Sequence, residues 1–215
     1  MTRTAFLIDG FNLYFSVRQA SQDLRGAQTK WLDIRAMCES YMHLIGQKVG
    51  DKAQLESIYY FSAMSSHLQR TNPGIVQRQR DYFRCLEDTG INLELGKFKR
   101  KYVHCKQCGK TSEHFEEKET DVAIGSRLIE ILVSDKCDTA VLVTGDTDLA
   151  AAVRVAQKLS PDKSVIFAFP YKRKNLELEK LAPSFTIGRR VYSSHQLPDP
   201  YSLPGGRKIN KPEKW

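Results

Sequence analysis

Two short apolar runs in this chain each end in acid, and that repetition limits the fold more than any other feature. The first, residues 5–8, leads into Asp9-Gly10-Phe11-Asn12; the second, residues 139–144, leads into Gly145-Asp146-Thr147-Asp148. Apolar runs without polar alternation read as strands buried on both faces, as in parallel sheets covered by helices on either side. Helical patterns alternate with such runs along the chain. This order predicts an α/β fold, Rossmann-like, with a mostly parallel sheet and helices on both faces. In that architecture the carboxyl ends of the strands open on one crevice, so both acidic segments are expected to meet there.

The pass along the chain fills in the remaining elements. Asn12 is expected to cap a helix running through Leu13, Phe15 and Val17. A second helix is predicted over 32–45, a strand over 55–63, and a helix opening at Asn72-Pro73 and stopping at Thr89-Gly90. Residues 91–103 alternate and are basic, predicting one or two strands with a turn near Gly96. A polar stretch, 104–117, precedes a helix at 118–134 with Val122, Ile124, Leu128, Ile129, Ile131 and Leu132 buried. A helix at 148–159, a strand at 164–169, a short helix at 176–181 and a small strand at 185–187 follow. The expected organisation is one domain over 1–195, carrying a Cys-containing insertion at about 97–117. A flexible basic tail, rich in Pro and Gly, is expected over 196–215, with Arg207, Lys208, Lys211 and Lys214 in it.

The balance of 33 Lys and Arg against 25 Asp and Glu, a net charge of +8, favours anionic partners such as nucleic acid. Five cysteines form an odd set, and Cys38, Cys85 and Cys137 are scattered, which argues against a disulfide framework and for a reducing cytoplasm. No signal-peptide pattern and no membrane-length apolar window occur in the sequence, so no membrane partner is expected.

Asp121 falls in the first turn of a predicted helix, where the dipole favours a carboxylate. It also shares a face with residues 124, 128 and 131, at the head of the apolar stripe. With Asp9, Asp146 and Asp148 it makes four acids directed at one crevice. Gathered carboxylates suit a hard divalent cation such as Mg²⁺, which takes oxygen ligands and pairs with phosphates.

Ile8-Asp9-Gly10-Phe11-Asn12, Lys118-x-x-Asp121 and Thr144-Gly145-Asp146-x-Asp148, in this order, resemble the NYN-domain ribonucleases of the PIN-like nuclease superfamily. The resemblance implies a PIN-like sheet and Mg²⁺- or Mn²⁺-dependent hydrolysis of RNA phosphodiesters, endonucleolytic in the leading expectation. It also implies metal ligation by Asp9, Asp121, Asp146 and Asp148, with Asn12 and Thr144 positioning metal water or phosphate. Glu119 ranks below Asp121, being off the buried stripe. The insertion before Lys118 departs from the minimal family pattern.

That insertion holds Cys105-Lys106-Gln107-Cys108-Gly109, half of a zinc-knuckle pattern. A structural zinc held by Cys105, Cys108, His114 and a fourth ligand (His104, or the distant His67 or His195) stands beside two reduced thiols or a redox pair. Lys97, Lys99, Arg100, Lys101 and Lys118, with Phe98 and Tyr102 interleaved, are expected to contact single-stranded nucleic acid. The bland alternative is an edge strand protected by lysines. Lys172-Arg173-Lys174 and Arg189-Arg190 add further positive charge. Two functional alternatives stay open: an RNA-binding or regulatory module without turnover, and a nuclease acting on DNA. A Toprim reading wants Glu where Asp9 stands, and a haloacid dehalogenase reading wants Asp where Phe11 stands. The sequence leaves a homodimer and an antitoxin or defence partner open.

Overall fold

The computed structural model describes residues 1–213; Lys214 of the basic tail lies outside the described residues. The chain runs β1 (Thr2–Asp9), α1 (Gly10–Asp23), α2 (Ile34–Ser40), α3 (Met42–Val49), β2 (Ala53–Ala63), α4 (Ile75–Asp88), β3 (Asn92–His104) and β4 (Thr111–Lys118). It continues through α5 (Thr120–Val133), β5 (Thr139–Val143), α6 (Ala150–Leu159), β6 (Ser164–Phe169), α7 (Leu176–Leu181), β7 (Ser184–Thr186) and α8 (Arg189–Ser194). A small hairpin, β8 (Tyr201–Ser202) and β9 (Lys208–Ile209), follows.

Seven strands form one sheet in the order β4-β3-β2-β1-β5-β6-β7. All neighbours pair in parallel except β3 and β4. The expected α/β architecture is therefore the observed one. Strand order reverses at β1, which has β2 on one side and β5 on the other, so the crevice of such a sheet falls beyond the ends of β1 and β5.

Strand periodicity sorts the core into two halves. Phe6 and Ile8 of β1 and Val141 and Val143 of β5 face one side, packed with Leu13 and Val17 of α1, Met37 of α2, Ile45 of α3 and Phe83 and Leu86 of α4. Ala5 and Leu7 of β1 and Ala140 and Leu142 of β5 face the other, under Ile124, Leu128 and Ile131 of α5, Val153 of α6 and Leu178 of α7. Burying each large apolar side chain contributes roughly 1.5–3 kcal/mol. Helices on both faces thus follow from strands apolar on both faces.

Several local expectations are corrected. The helix expected over 32–45 breaks at Tyr41. The Ser40 hydroxyl donates to Met37 O, and Tyr41 N donates to Cys38 O, three residues back rather than four. The Tyr41 ring leaves to stack on Phe185 at 4.9 Å. No turn occurs at Gly96; β3 runs straight through it and reverses only at residues 105–110, pairing Lys97 with Lys118 and His104 with Thr111. The polar stretch after His104 is thus the returning strand of a hairpin. Val122 is 73% exposed because it points away from the face shared by Asp121, Ile124 and Leu128.

Residues 197–209, expected as part of a flexible tail, are docked on the domain. Leu197 and Ile209 are buried in the first core half. Leu197 N donates to Trp31 O, and the buried Trp31 indole donates to Pro198 O at 3.0 Å. The Tyr201 hydroxyl donates to Asp88 at 2.7 Å. Two apolar anchors suffice to dock a stretch whose average composition is polar. Among the described residues no helix is long and apolar enough to cross a membrane.

Candidate active site

The crevice at the β1/β5 reversal has a volume of about 750 Å³. Asp9, Asp121 and Asp146 line it, arriving from the end of β1, the first turn of α5 and the loop after β5. Three segments distant in sequence therefore deliver carboxylates to one place.

Asp9, rather than Asn12, caps α1. Its Oδ1 accepts from the backbone N–H of Phe11 at 3.1 Å and of Asn12 at 2.9 Å. Its Oδ2 accepts from the Asn12 side-chain amide at 3.0 Å and from the Thr144 hydroxyl at 3.0 Å. Asn12 lies inside the first turn, where its side-chain Oδ1 accepts from Gly145 N at 3.2 Å. The amide thus spans the two strand ends. Thr144 is buried and accepts from Asp146 N at 3.1 Å. Burial nonetheless raises the Asp9 pKa, against the lowering effect of these donors, and the Asp146 charge adds to the rise.

Asp146 caps a short 3₁₀ turn, Thr147–Leu149, by accepting from Asp148 N at 3.0 Å. Asp148 is exposed and does not line the crevice, although its charge reaches Asp121. Asp121 is half-buried. Burial first, then the charges of Asp146, Asp9, Glu117 and Asp148, push its carboxyl up to about 6. Burial and gathered like charge together raise a carboxyl in this way.

Two glycines permit this closeness. A Cβ on Gly10 would lie 2.5 Å from Phe61 O and 2.8 Å from the Tyr60 ring; one on Gly145 would lie 2.1 Å from Arg173 O.

Glu117 escaped the sequence reading. It lines the crevice, accepts from Thr120 N at 3.3 Å, and is bonded closely by the Thr120 hydroxyl. Glu117-x-x-Thr120 at the entry of the apolar helix was the available signal. Glu119, by contrast, points to Lys97 at 3.2 Å.

The donor set can be tested against a divalent cation. Carboxylates, an amide and hydroxyls are hard oxygen donors, which fits Mg²⁺ or Mn²⁺. Among the described residues no three His, Cys, Asp or Glu converge as a ready-made cage. Mg²⁺ does not require one, since it is usually held by one or two carboxylates with waters and substrate phosphate completing the shell. Asp121 and Asp146 are the acids best placed to hold it, because the oxygens of Asp9 are already taken by four donors.

The hairpin behaves differently from its expectation. Phe98 and Glu117 pair across it and both line the crevice, which turns Lys97, Lys99, Lys101, Lys118 and His114 to the opposite face. Lys97 meets Glu119, Lys101 and Lys118 meet Glu116, and Arg100 meets Glu113 at 2.9 Å. None of Lys97, Lys99, Arg100, Lys101 or Lys118 lines the crevice. What the hairpin brings inward is aromatic. His67 stacks against Phe115 at 4.6 Å and packs on Phe98 at 4.3 Å, and Phe98 meets Phe11 edge-on at 5.7 Å.

Cys105 and Cys108 are exposed at the hairpin tip, where backbone N–H groups of Cys108 and Gln107 hold the Cys105 thiol below its usual value. His114 does not join them; its Nε2 is 2.9 Å from the Ser112 hydroxyl. His104 is bonded to Thr111. The expected zinc set is therefore not assembled within the described residues of one chain, because His114 sits on a strand and the cysteines in its turn.

Comparison with known proteins agrees with this fold. The chain is similar to a 6-hydroxy-3-succinoylpyridine 3-monooxygenase, HspA, of Pseudomonas putida, with 26% identity over 99% of this chain and 75% of the relative. Its fold is similar to that of a crystallised protein of unknown function from Vibrio parahaemolyticus. The TM-score is 0.54 at 19% identity, covering 87% of this chain and 93% of the other. The family model for the NYN domain matches residues 3–188, and the chain belongs to that family.

Proposed function

We propose that this protein is a metal-dependent ribonuclease that hydrolyses RNA phosphodiester bonds at the Asp9–Asp121–Asp146 crevice. Membership of the NYN family points to a nuclease-type function. The observation that carries the finer reading is the meeting of Asp9, Asp121 and Asp146 in one crevice, where burial first and then the charges of four other carboxylates push the Asp121 carboxyl up to about 6. A fold tolerates such repulsion where a cation relieves it. A divalent ion held there would supply Lewis acidity and an activated water.

The chain's own residues supply the rest. Asp121 and the Oδ2 of Asp146, whose Oδ1 caps the following turn, present the oxygens for the ion. Asp9 and Asn12 fix the relative position of the two strand ends, and Thr144 orients both Asp9 and the backbone of Asp146. Phe11 and Phe98 offer aromatic surface at the mouth, suited to unstacked bases of a single strand. The net charge of +8 favours a polyanion at long range. The test is incubation of labelled single-stranded RNA and DNA with Mn²⁺, Mg²⁺ or chelator. RNA cleavage in metal, absent in chelator and in Asp146→Asn, is expected; binding without cleavage in every metal would reduce the protein to an RNA-binding module.

A second reading draws on the Pseudomonas relative, whose name assigns it oxygenation of a hydroxypyridine acid. The apolar and aromatic wall of the crevice (Leu13, Leu32, Tyr82, Phe83), with Lys30 and Arg78 beside it, favours an aromatic acid as ligand. Turnover of a hydroxylated pyridine acid, with no effect on RNA, would select this reading.

A further inference from the structure

The crevice has a second pole that the acids do not use. Arg18 of α1, Lys30 in the α1–α2 connection and Arg78 of α4 line the same cavity. Among the described residues, the groups that meet these cations are uncharged. Arg78 donates to Asn72 Oδ1 at 2.7 Å and to Pro73 O at 3.1 Å, and Arg18 lies over the Tyr14 ring at 5.7 Å. Lys30 is half-buried, and the charges bearing on it are those of Arg18 and Arg78. Burial first and then these two cations lower its pKa. Three cations converging on one partly desolvated cavity repel one another, and an anion there would relieve all three.

The location limits what that anion can be. Lys30 is flanked by Thr29, Trp31 and Leu32, all buried, so it is rooted in the inner wall of the crevice rather than on an open track. The same cavity is lined by Leu13, Leu32, Tyr82 and Phe83, an apolar and aromatic wall suited to a base or sugar. A strand passing along the surface would not reach an inner wall; the end of a strand would.

We infer that Arg18, Lys30 and Arg78 form a subsite for a terminal phosphate, which seats the end of a nucleic-acid strand with its adjoining nucleotide in the crevice. This rests on the ribonuclease reading for the nature of the ligand, and it adds end recognition, which that reading does not contain. A phosphate monoester carries more charge than an internal diester, so three cations discriminate in its favour.

Binding separates the two ideas, because it needs neither metal nor turnover. Fluorescence anisotropy would use the Asp146→Asn variant in chelator, with short single-stranded RNAs bearing a 5′-phosphate, a 3′-phosphate or only hydroxyl ends. A nucleoside monophosphate and a pyridine carboxylic acid would serve as competitors. One phosphorylated end should bind about tenfold or more tighter than the hydroxyl form, as expected for charge-assisted hydrogen bonds to a phosphate. That preference should vanish in Lys30→Gln and return in Lys30→Arg. Lys30→Gln should melt no lower than its parent, since it removes a repelling charge. If it does melt lower, the exposed Arg18→Gln carries the same test. Competition by the monophosphate assigns the pole to the phosphate itself. Equal affinity for phosphorylated and hydroxyl ends, or displacement by the pyridine acid alone, would overturn the inference whether or not the parent cleaves RNA.

Discussion

The Thr144 hydroxyl donates to Asp9 Oδ2 at 3.0 Å and accepts from Asp146 N at 3.1 Å, so one buried side chain couples the acid ending β1 to the acid following β5. The sheet brings the strand ends together, and this bridge sets how their carboxylates face one another. Thr144→Val keeps the shape and removes both bonds. It is expected to lower stability by about 1–3 kcal/mol, the cost of leaving buried polar groups unpaired, and to lower nuclease activity by more than the fold loss explains. Urea melts alongside initial cleavage rates measure the two effects; unchanged rates would show that the bridge has no catalytic consequence.

The raised carboxyl of Asp121 makes a pH prediction. Its ordinary value is 3.8, and in the fold it stands at about 6. A carboxyl raised in the fold favours folding below its unfolded value, and that contribution is lost as pH rises through the folded value. Stability attributable to this group should therefore fall between about pH 4 and pH 6. In chelator, Asp121→Asn should melt above the parent at pH 7.5 and lose that advantage below pH 4. Thermal scans across pH check this, and an advantage that persists in acid would contradict it.

Close approach at Gly10 is a packing prediction. A Cβ there would meet Phe61 O at 2.5 Å and the Tyr60 ring at 2.8 Å, both well-buried groups. Gly10→Ala should cost about 1–3 kcal/mol by overpacking and displace Asp9 with it, lowering the denaturation midpoint and the activity together. A neutral midpoint would mean that α1 can move away from β2.

Docking of the last segment makes another. Leu197 is buried against the core, and its N–H bonds Trp31 O. Leu197→Ala should cost about 2–5 kcal/mol, and removal of residues 197–215 should expose Trp31. The truncated chain has Trp31 as its one tryptophan, and its emission maximum should lie to the red of that of the full-length Trp215→Phe variant; coincident spectra would contradict the packed arrangement.

Much of this was legible in the sequence, for identifiable reasons. Strands apolar on both faces announce a parallel sheet, and Asp9 and Asp146 stand next to such strands, so their convergence followed from topology. Asp121 was legible through its helical face. Readings failed where a single contact outweighs a local pattern. The position of Asn12 suits a cap, whereas Asp9 accepts both backbone bonds. The lysines of β3 suggested a phosphate track, but alternation and cross-strand carboxylates turn them away, information that resides in β4 rather than β3. Lys30 and Arg78, far apart in sequence and in unremarkable contexts, carried no local sign of sharing a cavity with Arg18.

Single-turnover cleavage of labelled single-stranded RNA by the parent, Asp121→Asn and Asp146→Asn, in Mn²⁺ and in chelator, tests the central claim most directly. Cleavage by the parent is expected in Mn²⁺ alone, with a loss of at least about a hundredfold in either variant, the scale of removing one group that acts on the transition state. Cleavage that survives both substitutions, or that proceeds equally in chelator, would contradict it.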